Sequence, residues 1–197
     1  MAIELTPEWG QEYIRPAFAG DEAAASDLIS SLHDHQRAQM VRIMYDAGVP
    51  PDAFRVALTG ALDQTHCYGD VLQAAKTRLQ LVRWCRYARY KLPASCNDKI
   101  TIFRGVGGGS IARAKAGLSW TLDFDCAAWF AMRLNGAEPL VLEATVPASE
   151  AVFYSSERSE SEAIPATIPK NLRFHQGENL RLAHDRYQQT KDDVFAC

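Results

Sequence analysis

The 197-residue chain lacks a basic surplus: 21 Lys and Arg stand against 24 Asp and Glu, for a net charge of −3. A general nucleic-acid binder needs a positive surface to displace counterions from phosphates, so that class is disfavoured. No apolar run approaches the roughly 18 residues that a membrane span requires, and no membrane partner is expected. The five cysteines, Cys67, Cys85, Cys96, Cys126 and Cys197, are odd in number and have no CxxC or other metal-type spacing. Reduced thiols of a cytoplasmic protein are their expected state. His33 and His35, two apart on a presumed helix, point to different sides and cannot chelate together; His66, His175 and His184 have no partner at ligand spacing. No metal is expected. The opening "MAIELTPEWGQEYIRP" has no basic start followed by an apolar run, so no signal peptide is read there.

What is present divides near residue 95. The first part, 1–95, reads as helices. "DEAAASDLISSLHDHQRAQMVRIMYDAG" sets Leu28, Leu32, Met40, Ile43 and Met44 near one stripe, ended by Gly48. "PPDAFRVALTGALDQT" places Phe54, Leu58 and Leu62 at four-residue steps, and "YGDVLQAAKTRLQLVRWCRYARYKLPA" offers Val71, Leu72, Leu79, Val82 and Tyr90 as core positions. The second part, 96–197, is strand-rich with one embedded helix. "KITIFRG" alternates, with Ile100, Ile102 and Arg104 on one face. "GLSWT", "PLVLEATVP", "EAVFYS", "EAIPATIP" and "NLRFH" read as strands. "LDFDCAAWFAMRL" reads as a helix capped by Asp123, with Phe124, Ala127, Ala128, Ala131 and Leu134 on one side. The fold class expected is α+β.

Several stretches carry candidate chemistry. "RGVGGGS" holds Gly105, Gly107, Gly108 and Gly109, but Ser110 stands where a dinucleotide fingerprint needs its third glycine, so a flexible turn is the better reading. The segment from Lys76 to Lys91 carries six basic residues and no acid, with Trp84, Tyr87 and Tyr90 interleaved. A solvated face is the ordinary account, and a docking surface for an acidic partner or nucleic acid the sharper one. In "YSSERSESEAIP", Glu160 and Glu162 share a face about 7 Å apart if the run is a strand. A glycosidase pair is excluded, because those enzymes put their two carboxylates on opposite sides of the scissile bond. A same-side pair suits stabilisation of a positively charged ribosyl centre and polarisation of a nucleophile. Arg104 extends an apolar face and needs an anionic partner: a phosphate, a carboxylate ligand, or a structural acid such as Glu143. Ser119 and Thr121 flank Trp120 and point two hydroxyls to one side, with N-capping as the ordinary alternative.

Taken in order, "IFRG … GLSWTLDFDCAAWFA … ERSESEAI" resembles the mono-ADP-ribosyltransferases of the Arg–Ser–Glu class, the group of the cholera-like and C3-like toxins, in their compact bacterial and phage form. The resemblance covers residues 99–170. It implies a core of two perpendicular β-sheets around an NAD cleft, with NAD as substrate and a macromolecular acceptor as partner. A protein acceptor is expected before a nucleic acid, and an inhibitor or antitoxin is a further conceivable partner. By this likeness Arg104 would hold the NAD phosphates and the Gly105 backbone the nicotinamide amide. Ser119 and Thr121 would brace the cleft, Glu162 would stabilise the oxocarbenium-like transition state, and Glu160 would orient the acceptor. Phe153 and Tyr154 would lie in the loop that meets the target. One departure is Trp120 in the middle of a motif that is commonly Ser-Thr-Ser; an outward-packed indole would leave Ser119 its role. The expected role is that of a toxin, an injected effector or a phage protein that disables a host defence, in the cytoplasm of the producing cell or of an infected host. The alternatives are a non-catalytic inhibitor or adaptor that binds a partner through the helical part, and an NAD glycohydrolase.

Overall fold

A computed structural model describes residues 2–63, 69–108, 110–133, 138–156 and 160–195. The chain divides into two compact units, Met1–Tyr90 and Lys91–Cys197. The boundary lies five residues before the expected one. Tyr90 belongs to the first unit because its hydroxyl meets Thr59 Oγ1 at 2.8 Å and donates to the Arg55 carbonyl at 3.2 Å.

The first unit is helical: α1 (Ala2–Leu5), a 3-10 turn (Glu8–Tyr13), α2 (Ile14–Ala19), α3 (Glu22–Ser30), α4 (Asp34–Asp46), α5 (Pro51–Asp63), α6 (Gly69–Ala75) and α7 (Arg78–Ala88). Two runs that read as single helices are each broken by a local polar bond. Between α3 and α4, Ser31 Oγ donates to the Leu28 carbonyl (2.6 Å), and Gln36 Oε1 accepts from the His33 N–H (3.0 Å). Between α6 and α7, Lys76 takes φ 64° and Thr77 Oγ1 caps α7 by accepting from the Gln80 N–H (3.1 Å). The sequence Thr-x-x-Gln is a start signal of the capping-box type, and it overrides the continuity of the apolar pattern. The chain leaves α7 through Arg89 in the left-handed region, well before Pro93.

The core of this unit gathers Leu28, Met40, Met44, Phe54, Leu58, Leu62, Leu81 and Trp84, all 2% exposed or less. Leu79, expected inside, is 61% exposed. The buried face of α7 is Leu81, Val82, Trp84, Cys85 and Ala88, which turns Leu79 outward with Arg83 and Arg86. The aromatics of α7 face inward: Trp84 is buried, and the Tyr87 hydroxyl donates to the Val49 carbonyl at 2.9 Å. They form core and not a stacking surface for bases.

The second unit is α+β. It contains β1 (Lys99–Val106), α8 (Ile111–Lys115), β2 (Trp120–Thr121), α9 (Phe124–Met132), β3 (Leu140–Pro147), a 3-10 turn (Ala148–Glu150), β4 (Ala151–Ser155), β5 (Glu162–Pro165), β6 (Arg173–His175) and α10 (Glu178–Phe195). Where two sheets are implied by the resemblance, the described strands join in one six-stranded sheet of order β4-β5-β2-β1-β3-β6, with every neighbouring pair antiparallel. β1 and β3 pair along their length, from Lys99↔Pro147 to Val106↔Leu140. The joint between the halves of the sheet is the two-residue β2, which meets β1 at Phe103↔Thr121.

Ile100, Ile102, Val106, Trp120, Leu140 and Leu142 form one core cluster. Ala127, Ala128 and Ala131 of α9 pack with Val141, Leu180 and Ala183 in another. Alanines on α9 let the helix lie close to the sheet, and Gly105 is the matching concession on β1. A Cβ there would come within 2.2 Å of the Ala127 carbonyl oxygen and 2.6 Å of the Ala131 nitrogen. The helix α10 was not anticipated, although Leu180, Ala183 and Tyr187, all buried, stand at i, i+3 and i+7. Among the described residues, no helix is long and apolar enough to cross a membrane.

Candidate active site

The antiparallel ladder brings three separated residues into one chain of hydrogen bonds. Arg104 lies on β1 opposite Leu142, half-buried. Its Nη1 donates to the Ser119 carbonyl. Gly117 makes room for this: a Cβ at that position would sit 2.3 Å from the guanidinium carbon. Ser119 precedes β2, and the pairing of Trp120 with Ala163 and Thr121 with Glu162 brings it beside the start of β5. There the Ser119 hydroxyl donates to Glu162 Oε1. Arg104, Ser119 and Glu162 are therefore linked by two hydrogen bonds that meet at Ser119. The anionic partner once considered for Arg104, Glu143, is engaged elsewhere: His175 Nε2 lies 2.7 Å from its Oε2 and Arg173 Nη1 3.5 Å from its Oε1.

The two hydroxyls that flank Trp120 do different work. Thr121, 6% exposed, donates to the Glu160 carbonyl at 2.5 Å and accepts from the Asp123 N–H at 3.0 Å. It ties β2 both to the segment before β5 and to the cap of α9, whose Asp123 carboxylate accepts from the Asp125 and Cys126 amides. Trp120 is not turned outward. It is 1% exposed in the sheet core, with its indole N–H directed at the Gly117 carbonyl (3.3 Å), and Ser119 still reaches Glu162.

The expected same-face carboxylate pair does not arise from a regular strand. β5 begins at Glu162, and Ser161 takes φ 45°, which interrupts the alternation that would have aligned Glu160 with it. Glu162 is held by Ser119, while the Glu160 carboxylate lies 3.8 Å from the Lys191 ammonium of α10. The carbonyl of Ser161 accepts from the Leu122 N–H at 2.9 Å, a second tie between β2 and this segment.

Other expected positions are revised. Phe153 is fully buried in β4, not displayed on a loop, because the strand turns it into the core; its ring is not free to meet a target. Tyr154 is half-buried on the same strand, opposite Ala163. Residues 157–159 of the expected target-facing loop lie outside the described residues, as does Leu134 of the α9 face. Gly105 has a packing reason of its own, the close approach of α9, whatever its backbone offers a ligand. Burial pushes the Cys126 thiol from its ordinary 9.0 up to about 11, so it stays neutral and poorly nucleophilic at physiological pH. Burial, with the hydrogen bond to Cys126, likewise raises the Tyr187 phenol. Among the described residues no group of three or more His, Cys, Asp or Glu could hold a metal ion.

Sequence reasoning missed Gly117 and Lys191. Gly117 lies two residues before Ser119, where space for an arginine is legible only once Arg104 is known to point there. Lys191 sits on the helix that was not anticipated. Comparison of the chain with protein-family models, with curated proteins and with solved structures gives no match in any of the three.

Proposed function

We propose that the protein cleaves NAD and transfers its ADP-ribose to a macromolecule, with a protein as the expected acceptor. The observation that supports this reading is the linkage Arg104–Ser119–Glu162, three residues of the proposed motif that lie far apart in sequence and meet through the β1–β2–β5 ladder. In this reading Arg104 supplies the cation for the diphosphate of NAD. Ser119 fixes the Glu162 carboxylate by donating to one oxygen, and the preoriented negative charge stabilises the cationic ribose as it forms. The bond from the ribose C1′ to the nicotinamide nitrogen breaks, and its electron pair returns to the pyridinium ring. Nicotinamide then leaves neutral and needs no general acid. The acceptor nucleophile forms the new bond to C1′ and loses its proton, with Glu160, two residues before Glu162, as the candidate to take or orient it.

The test uses NAD labelled on its adenylate portion, purified protein and lysate from a bacterial host, beside the Glu162→Ala variant. A labelled macromolecule that disappears with the variant supports the transferase. Free labelled ADP-ribose without a labelled macromolecule makes water the acceptor and the protein a glycohydrolase. Unchanged labelling by a folded Glu162→Ala variant would overturn the assignment of Glu162, and intact NAD throughout would favour the non-catalytic binding reading.

A further inference from the structure

We propose that Lys191, on the C-terminal helix α10, is a positioning residue for Glu160, and that through it α10 sets how much ADP-ribose reaches an acceptor instead of water. The activity consequence rests on the transferase reading; the positioning itself does not.

Glu160 is held from two directions. Its carbonyl accepts from Thr121 Oγ1 at 2.5 Å, and its carboxylate lies 3.8 Å from the Lys191 ammonium. Both side chains are largely withdrawn from solvent, at 19% and 22% exposure, so the pair is less screened than a surface contact between two long side chains. The ammonium is itself located: it lies 4.2 Å from the centroid of Trp129 and 5.3 Å from that of Tyr187, an aromatic bracket that favours a cation. The other face of this arrangement is also fixed. The Trp129 indole N–H donates to Gln188 Oε1 at 2.8 Å, and Arg186 grips Asp125 through two bonds of 2.7 and 2.6 Å. Leu180 and Ala183 pack in the α9 core cluster. A lysine anchored this way presents its charge at a defined place, which an ordinary surface lysine does not. The glutamate so held is the one that, in the proposed reaction, would orient the attacking nucleophile, whereas Glu162 and its Ser119 partner would serve the cleavage step. Loss of Lys191 therefore separates transfer from cleavage.

The experiment compares the full chain with Lys191→Met and Lys191→Arg, in lysate with adenylate-labelled NAD, and measures nicotinamide release and the share of label on macromolecule. For Lys191→Met, the expected result is nicotinamide release within about twofold of the parent and a drop of about tenfold in the share transferred, restored by Lys191→Arg. A parallel fall of release and transfer would reduce Lys191 to a structural support, and an unchanged share would overturn the proposal. If the parent chain leaves NAD intact, the transferase reading fails, and amide hydrogen exchange decides the positioning claim alone. The Leu122 N–H, bonded to Ser161 O beside Glu160, is expected to exchange about tenfold faster in Lys191→Met and at the parent rate in Lys191→Arg. Equal rates in all three would overturn it.

Discussion

The helical unit and the sheet unit spend their charged side chains differently. In the first, Arg37–Asp34, Arg55–Asp52 and Arg42–Asp46 are i,i+3 or i,i+4 contacts within one helix, and Arg55 also reaches Glu22 of α3. In the second, charged groups bridge elements distant in sequence. Arg186 meets Asp125, Lys191 meets Glu160, and Glu143 meets both Arg173 and His175. Local pairs support helices already formed by apolar packing, at a few tenths of a kcal/mol each, about 0.3–0.5. Long-range polar bonds instead fix which elements lie beside which. That is what a site assembled from β1, β2 and β5 requires.

The largest effect should come from emptying the helical core. Phe54 is fully buried and its ring lies 5.7 Å from that of Tyr45 and 5.4 Å from that of Tyr87. Phe54→Ala is expected to cost about 4 kcal/mol, read as a lower urea midpoint with faster exchange in α3 and α5. A loss near zero would break the picture of a unit held by apolar packing. Next in size is Gly105→Ala in the sheet unit. The added methyl meets the main chain of α9, which cannot swing aside as a side chain can, so about 3 kcal/mol is expected in the same measurement. A neutral Gly105→Ala would mean that α9 sits further from β1 than 2.2 Å implies.

A third contrast uses the buried thiol of each unit. Burial raises Cys85 from 9.0 to about 12 in the helical unit and Cys126 to about 11 in the sheet unit. A raised folded value means that the folded state keeps its proton longer than the unfolded chain. The associated stability is intact below about pH 9 and is lost as pH climbs toward 11 and 12. By pH 11 the stability lost through Cys85 is about 3 kcal/mol. Urea midpoints at pH 8 and pH 11 should therefore fall less for Cys85→Ala than for the parent, and equal falls would contradict it. The smallest stability effect is expected at Gly117. The atoms nearest its added methyl belong to the Arg104 guanidinium, a flexible end that can move, so Gly117→Ala should cost under about 1 kcal/mol. Because the guanidinium must leave its place beside Ser119, nicotinamide release should nonetheless fall about tenfold or more. Stability and activity then part company at Gly117 and move together at Gly105.

How much of this was legible in the sequence follows the same division. The helices of the first unit announce themselves through apolar spacing, since that signal is local; the breaks at Ser31–His33 and Thr77 were missed because one capping bond outweighs a continuous stripe. In the sheet unit, β1, β3, β4 and the capped α9 were readable from alternation and from Asp123. Arg104, Ser119 and Glu162 were named from motif order, and their meeting depends on a register that one residue of slippage would destroy. Phe153 was misplaced because a strand exposes or buries a ring by parity, and parity is set by a partner the sequence does not name. The Glu160–Glu162 geometry failed for a local reason, the left-handed turn at Ser161, where no glycine or asparagine gave warning.

The most direct test of the central claim is nicotinamide release by the purified chain and by Glu162→Gln. Glutamine keeps the shape and the acceptor oxygen for the Ser119 hydroxyl and removes only the charge. Release by the parent and a loss of about a thousandfold in the folded variant are expected. A folded Glu162→Gln protein that releases nicotinamide at the parent rate would contradict that claim.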